Sequence, residues 1–345
     1  MSRPPNPTGL RPQPTLEAVA ELAGVSRATV SRVINGRPRV SEKVRRLVEE
    51  AVKELGYVPN RAARSLVTRR TDSIALVVRE PETRFFSEPF FPEIVRGISS
   101  SLAEVDFQLV LIMEQSGAHG ERITRYLTTG HVDGVLLTSL HGKDPLPPAL
   151  VAAGIPTVIG GGPPGELRVS YVDADNREGA RQAVEHLVRG GRTRIATITG
   201  PADMPVGIDR LNGYRDALDA TDLPFDPAIV VPGDFSQASG GVAMEQLLTL
   251  RPQIDAVFAA SDLMAAGALQ ALGRAGLRVP DDVAVVGFDD SATARSTDPP
   301  LTSIRQPLVE MGRTMASLLL RHVLEGDTDP HTVILPTELV VRSSA

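Results

Sequence analysis

The sequence predicts an all-α helix-turn-helix head followed by a parallel α/β body, and three observations carry that expectation. Apolar residues recur at helical spacing through three short segments between Thr15 and Leu55, each followed by a glycine or an Asn-Gly pair. From Thr71 onward, strand-like apolar runs alternate with helical stretches, the order that builds parallel sheets through right-handed crossovers. Charge divides along the same line. Residues 1–70 hold 14 Lys and Arg against 6 Glu and no Asp, whereas the remaining 22 basic residues face 36 acidic ones. A basic head on an acidic body suits a protein in which only the head meets phosphate.

In chain order, residues 1–14 carry five prolines and no periodicity, which predicts a disordered arm. The head spans 15–58. Its first helix has Leu16, Val19, Ala20 and Ala23 on one side, Thr15 as N-cap and Gly24 as its stop. The second is expected from Ser26 to Asn35-Gly36. At 100° per residue Val30, Val33 and Ile34 share one arc, and Arg27, Ala28, Ser31 and Arg32 share another. The third runs Ser41–Leu55, with Val44, Leu47, Val48, Ala51, Val52 and Leu55 as its stripe and Gly56 closing it. Two short helices about a glycine turn, the second presenting arginines and hydroxyls outward, predict a recognition helix in the major groove.

In the body, strands are expected at Ser73–Arg79, Phe107–Met113, Gly134–Thr138, Thr157–Ile159, Arg194–Thr199, Ala256–Ala260 and Val283–Phe288. Helices are expected at Phe91–Val105, Gly120–Thr129, Arg177–Arg189, Ile208–Ala220, Gly241–Leu250 and Leu263–Ala275. Ligands of parallel α/β sheets collect at the carboxyl ends of strands. The loops after the strands are therefore where binding residues are sought.

Composition narrows the function classes. With 345 residues, 42% of them hydrophobic, the chain is long enough for two or three domains with real cores. It has no apolar run of membrane-spanning length, no secretory h-region and no cysteine, so a cytoplasmic protein is expected. No G-x-x-x-x-G-K-[ST], G-x-S-x-G or H-E-x-x-H occurs, and the six histidines are scattered. Gly160 to Gly165 contains Pro163 and Pro164 and opens no helix, unlike a phosphate loop. No catalytic residue, metal site or cofactor is expected.

The stretch GVSRATVSRVINGRPRVSEKVRRLVEEAVKELGYVPNRAARSL resembles the N-terminal signature of the lactose-repressor and purine-repressor family of bacterial transcription regulators, and the likeness continues to the end of the chain. The layout, including SEPFF and VSYVDADN, is most similar to actinobacterial regulators of cellulose and β-glucoside utilisation. The resemblance implies a periplasmic-binding-protein-like (type I) body of two lobes joined by three crossings. The expected division is a hinge at 59–70 and an effector-binding and dimerisation domain at 71–345. Its N-lobe would take 71–172 and 300–328, and its C-lobe 173–299 and 329–345.

The same resemblance implies operator DNA, a small-molecule effector and a second copy as partners, with no membrane. DNA contact is expected from Thr15, Ser26, Arg27, Ala28, Thr29, Ser31, Arg32 and Asn35, and from Asn60, Arg61 and Leu66 of the hinge. In the family Leu66's counterpart wedges into the minor groove. Arg27 and Arg32 can read guanine, Ala28 can meet a thymine methyl, and Thr29 and Ser31 can hold phosphate. No leucine-heptad tail follows LVVRSSA, so a dimer is expected.

For the effector, Arg210 in GIDRLNGY matches the family's effector arginine, and Asp289 in VAVVGFDDS matches its acceptor aspartate. Phe235 sits where relatives lay an aromatic over the ligand, and Phe90 and Phe91 fall at the purine-binding aromatics, where core packing is the other reading. Asp262 of the Ser261-Asp262 pair is either a helix cap or a contact. Ser139 and Gln306 are weaker candidates. Arginine, aspartate and flat aromatics together suit a sugar. At Gly160-Gly161-Gly162 an aspartate of some sugar-responsive relatives is missing, which leaves room for a longer ligand or simply turns the chain. A repressor released by a cello-oligosaccharide or other β-glucoside is the leading reading. A purine- or other metabolite-responsive corepressor type, a sugar-acting enzyme with a DNA-binding head, and an architectural DNA-binding protein are the alternatives.

Overall fold

The computed structural model describes residues 14–34, 40–58, 70–114, 120–163, 165, 167–250 and 253–345. Most of the expected arm, Asn35, and the hinge residues Asn60, Arg61 and Leu66 lie outside the described residues. The chain divides into two compact units, Met1–Thr71 and Asp72–Ala345.

In the first unit, α1 (Leu16–Ala23) begins where the Thr15 side chain accepts the Ala18 N–H at 3.3 Å, and ends at Gly24 with φ +65°. The second helix, α2 (Arg27–Ile34), starts one residue later than expected because Ser26 stands outside it as the cap, accepting the Thr29 N–H at 3.1 Å. Ser41 caps α3 (Glu42–Leu55), and Gly56 with φ +60° closes it. Val19, Ala20, Val30, Val33, Val48 and Ala51 form the core, joined by Tyr57. Leu47 was expected in that core and is 41% exposed, since it lies at the edge of the α3 stripe.

The second unit holds two six-stranded sheets. Strands β1 (Ser73–Val78), β2 (Gln108–Met113), β3 (Gly134–Thr138), β4 (Thr157–Gly160), β5 (Ser170–Ala174) and β11 (Thr332–Leu335) are all parallel, in the order β11-β5-β4-β3-β1-β2. Strands β6 (Ile195–Thr199), β7 (Val230–Pro232), β8 (Ala256–Ala259), β9 (Ala284–Asp289), β10 (Thr302–Arg305) and β12 (Glu338–Val340) form the other, in the order β12-β10-β9-β8-β6-β7 with β12 antiparallel to β10. Helices cover both faces, so central strands such as Ile74–Val78 and Gly134–Thr138 are buried throughout and read as unbroken apolar runs.

The first sheet is covered by α5 (Phe90–Ala103), α6 (Gly120–Thr128), α7 (Leu146–Ala152) and α13 (Leu308–Glu325), with the short α4 (Glu82–Ser87) before α5. The second is covered by α8 (Asn176–Arg189), α9 (Pro205–Ala220), α10 (Gln237–Leu248) and α11 (Asp262–Arg274), with α12 (Ala292–Ser296) nearby. Among the described residues no helix is long and apolar enough to cross a membrane.

The chain passes between the sheets after β5, after β10 and between β11 and β12. This corrects the expected lobe limits. The first lobe runs through β5 to Ala174, β10 belongs to the second lobe although 300–328 was assigned to the first, and β11 returns to the first although 329–345 was assigned to the second. Strands of three to five residues at β5, β7, β10, β11 and β12 are too short to declare a period.

Within the first lobe, α5 and α13 pack backbone to backbone. A Cβ on Gly97 of α5 would lie 2.2 Å from the Val309 carbonyl, and one on Gly312 of α13 would lie 2.3 Å from that of Ile94. Gly273, in the last turn of α11, has open space around its missing Cβ. Gly312→Ala should therefore cost about 1–3 kcal/mol in chemical denaturation, while Gly273→Ala should gain roughly 0.5–1 kcal/mol. Equal effects of the two substitutions would contradict the packing described.

Candidate recognition helix and effector cleft

In the head, the side chains of α2 divide as the residue spacing requires. Val30 and Val33 are buried, while Arg27, Ala28 and Arg32 are exposed and Thr29 and Ser31 half-buried. The Thr15 and Ser26 hydroxyls both serve as helix caps, and the Ser26 and Thr29 hydroxyls lie 2.8 Å apart in a shared hydrogen bond. These three are thus held by the helix ends they organise. Arg27 pairs across the surface with Glu17 at 3.1 Å, both largely exposed, an arrangement weak enough for a phosphate or base edge to displace.

In the trunk, the carboxyl ends of the strands from both lobes converge on one cleft. It encloses about 840 Å³ of atom-free space, part of it open to solvent. Of the sequence candidates, Phe90, Phe91, Ser139, Arg210, Phe235, Ser261, Asp289 and Gln306 all line it. Asp262 does not. Its carboxylate accepts from the Ser303 hydroxyl at 2.6 Å and the Ser291 N–H at 2.7 Å, so it ties α11 to β10 and the loop after β9. The helix cap is Ser261, which accepts the Met264 N–H at 3.2 Å. Phe91 is only 2% exposed and stacks on Phe85 with centroids 5.3 Å apart, so core packing takes most of its surface. Phe90 is the more open ring.

Arg210 is the centre of the site. It is 4% exposed, donates from Nε to Asn176 Oδ1 at 2.9 Å and from Nη1 to the Ala260 carbonyl at 2.5 Å, and lies 3.7 Å from Asp289. Its guanidinium carbon sits 3.7 Å from the centroid of the Phe288 ring. Among the described residues no bond is made from its Nη2, which leaves donors for a ligand. Gln306 Nε2 donates to Asp289 Oδ1 at 2.6 Å and so fixes that carboxylate.

Sequence reasoning missed several lining residues, Arg84, Glu88, Asp173, Asn176 and Met204, while the glycine run Gly160–Gly162, expected either to leave ligand space or to turn the chain, does line the cleft. Asp173 lies in the short β5, which has no visible period, and Asn176 opens α8 just beyond it. Asp173 supplies an acceptor from the strand beside the glycine run, since Gly160 pairs with Val172. The bare backbone at Gly160–Gly162 therefore faces a carboxyl group after all.

Electrostatically the cleft is rich in acceptors. Burial pushes Asp173 up to about 7, with the Ala174 N–H and Arg210 opposing the rise, and burial pushes Glu88 up to about 7 against the pull of Arg84. Asp262 and Asp289 are also raised, chiefly by burial. Burial likewise lowers Arg210, although Asp289 and Asp173 counter it. Two guanidiniums, Arg84 and Arg210, already engaged by a surrounding set of carboxyl groups disfavour an anionic ligand. They suit a neutral one that offers many hydroxyl donors to the carboxylates and accepts from Arg210.

Comparison with known proteins follows the same division. The description "Bacterial regulatory proteins, lacI family" matches residues 15–60, and "Periplasmic binding protein-like domain" matches residues 184–345. Over 336 residues, 97% of this chain and 99% of the relative, the sequence is 54% identical to the HTH-type transcriptional regulator CelR of Thermobifida fusca. It is 37% identical to the ribose operon repressor of Escherichia coli (strain K12) over 337 residues, 96% and 99% of the two chains. Among solved structures, the transcriptional regulator CelR-cellobiose complex matches with a TM-score of 0.78 and 52% identity, covering 96% of this chain and 100% of that one. The lac repressor dimer bound to operator and the anti-inducer ONPF matches with a TM-score of 0.85 and 31% identity, covering 96% and 99%.

The raised carboxyl groups set a pH dependence for the ligand-free protein. Each binds its proton more tightly folded than unfolded, so its contribution to stability is fully present below about pH 4 and is lost as pH rises through the shifted values. Calorimetry of the ligand-free chain should show the trunk's melting temperature falling by several degrees between pH 5 and pH 8.5. A steady rise across that window would show that the cleft carboxyl groups are ionised throughout.

Proposed function

This chain belongs to the lacI family of bacterial regulatory proteins, and from that premise we propose that it is a repressor of carbohydrate-utilisation genes, released from its operator by cellobiose or a closely related β-glucoside. It is a transcription regulator and not an enzyme, as its full-length relatives are. The observation that carries the effector reading is the cleft itself: Arg210 fixed among Asp289, Asp173 and Asn176 under aromatic walls, an acceptor-rich setting for a polyhydroxyl ligand. The likeness to the CelR-cellobiose complex supports the choice of sugar.

Two copies are proposed to lay their α2 helices in successive major grooves of a pseudo-palindromic operator. Arg27 and Arg32 would read base edges, Ala28 would offer a methyl contact, and Thr29 and Ser31 would hold phosphates. The capped ends at Thr15 and Ser26 would fix the approach of the helix, with Asn35 at its far end. Asn60, Arg61 and Leu66 are proposed to complete the contact from the hinge, Leu66 by opening the central base step. Effector bridging the lobes would alter the spacing of the paired heads. A 50-fold loss of operator affinity needs only about 2.3 kcal/mol of coupling, and operator must weaken effector binding by the same factor.

Titrating cellobiose into the protein bound to a symmetric operator should release the DNA, whereas purines and ribose should leave it bound. Arg210→Lys, which keeps the charge and loses the fork, should weaken cellobiose binding about tenfold or more in calorimetry without changing operator affinity in sugar-free buffer. Release by a purine instead, or tighter operator binding in cellobiose, would overturn the reading. On the DNA side, Arg27→Ala or Arg32→Ala should cost about 1–3 kcal/mol and relax preference at one base pair. An equal loss on every duplex would assign that arginine to phosphate.

A further inference from the structure

At the mouth of the cleft, one histidine joins the two lobes. His141 lies in the loop after β3, in the first lobe, and its ring nitrogens face two carboxylates. Nε2 is 2.9 Å from Glu80 Oε1, in the loop after β1, and Nδ1 is 3.1 Å from Asp203 Oδ2, in the second-lobe loop between β6 and α9. Beside it the Gly142 N–H donates to the Asp203 carbonyl at 2.8 Å. An ionised carboxylate only accepts hydrogen bonds, and a neutral imidazole carries one N–H, so both contacts are satisfied together only when both ring nitrogens are protonated.

We propose that His141 is a cationic clasp between the lobes, a positioning residue whose protonation favours the closed cleft and so tightens effector binding. The clasp is wired to the site. Glu80 Oε1 also accepts from the Ser139 hydroxyl at 2.6 Å, and Ser139 lines the cleft with a φ of +59°. A ligand pressing on Ser139 thus acts on Glu80, through it on His141, and across the mouth on Asp203.

The charged surroundings favour the cation. Glu80 and Asp203 face the ring directly; Arg84 of α4 shares the same Glu80 Oε1 at 2.8 Å and, as a cation, opposes them. Lys143, next along the loop, is exposed, while Asp144 is engaged by Arg79 at 2.6 Å. The Glu80 bond raises His141 above the ordinary imidazole range, and burial only partly offsets this. Glu80 stays ionised despite its burial because His141 and Ser139 both donate to it. The clasp is therefore present at low pH and is lost as pH rises through the raised value of His141. Since apparent affinity scales with the fraction of closed protein, losing the clasp weakens binding.

The proposal rests on the cleft being the effector site, and two measurements on the full chain separate it from the identity of the sugar. Nitrogen-15 spectra of histidine-labelled, ligand-free protein at pH 7 should show both His141 nitrogens protonated, and Glu80→Gln should remove that state. Calorimetry with cellobiose from pH 6 to pH 8.5 should show affinity falling about three- to tenfold more in the parent than in His141→Gln, which sets aside the titration of the cleft carboxyl groups common to both. Asp203→Asn should flatten the profile while keeping tight binding at pH 8.5, because its amide can donate to a neutral ring. A neutral His141 at pH 7, or parallel pH profiles for the parent and both variants, would overturn the clasp. Absence of cellobiose binding at every pH would overturn the choice of effector, and the spectra would still decide the clasp.

Discussion

The trunk depends above all on a buried guanidinium. Removing a charge from water costs several kcal/mol unless the surroundings replace its hydration. Arg210 meets that requirement with four partners from three places: Asn176 at the start of α8, the Ala260 carbonyl beyond β8, and Asp289 with the face of Phe288 at the end of β9. One side chain thereby registers the carboxyl ends of neighbouring strands against the helix that carries it. These contacts order the cleft before any ligand arrives, and among the described residues Nη2 of Arg210 makes no hydrogen bond.

Backbone strain gathers around the same place. Ser139, Phe235, Asp289 and Asp290 all have positive φ, a conformation most side chains avoid and that surrounding structure must enforce. At Phe235 the enforcement is visible, since a Cβ on Gly200 would come within 2.3 Å of its ring. The glycine leaves room for the ring to reach the wall of the cleft, where Arg84 and Arg210 approach its face at 5.4 and 5.8 Å. Asp290 turns the other way, its carboxylate held by Arg305 at 2.7 Å and by Arg342, so of two adjacent aspartates only Asp289 lines the cleft.

How much of this was legible in the sequence depended on whether a signal was local. Thr15 with Gly24 and Ser41 with Gly56 announce helix ends within a few residues, and the long buried strands declare themselves by composition, so the head and the central strands were accessible. Residue spacing points to a helix from Ile208, whereas α9 begins at Pro205, because proline is tolerated in a first turn. Candidates drawn from motif positions mostly lie together in the cleft. Asp262 is the exception, because nothing in the order of residues tells that Ser291 and Ser303, 29 and 41 positions away, absorb its carboxylate. Asp173 stayed hidden for the complementary reason: the segment beside it, Gly160–Gly162, carries no side chains to suggest that a carboxyl group faces it.

The order of the strands also has a bearing on how the protein is made. Each sheet takes its outermost member, β11 or β12, from residues 332–340, and Ser344 then bonds to the Val285 carbonyl and accepts the Thr302 N–H. The head, by contrast, is held by contacts within its own few dozen residues. On a ribosome adding about 5–20 residues per second, the DNA-gripping part can fold many seconds before either half of the sensor receives its final strand. Translation therefore delivers a reader of operators first and the means of controlling it last.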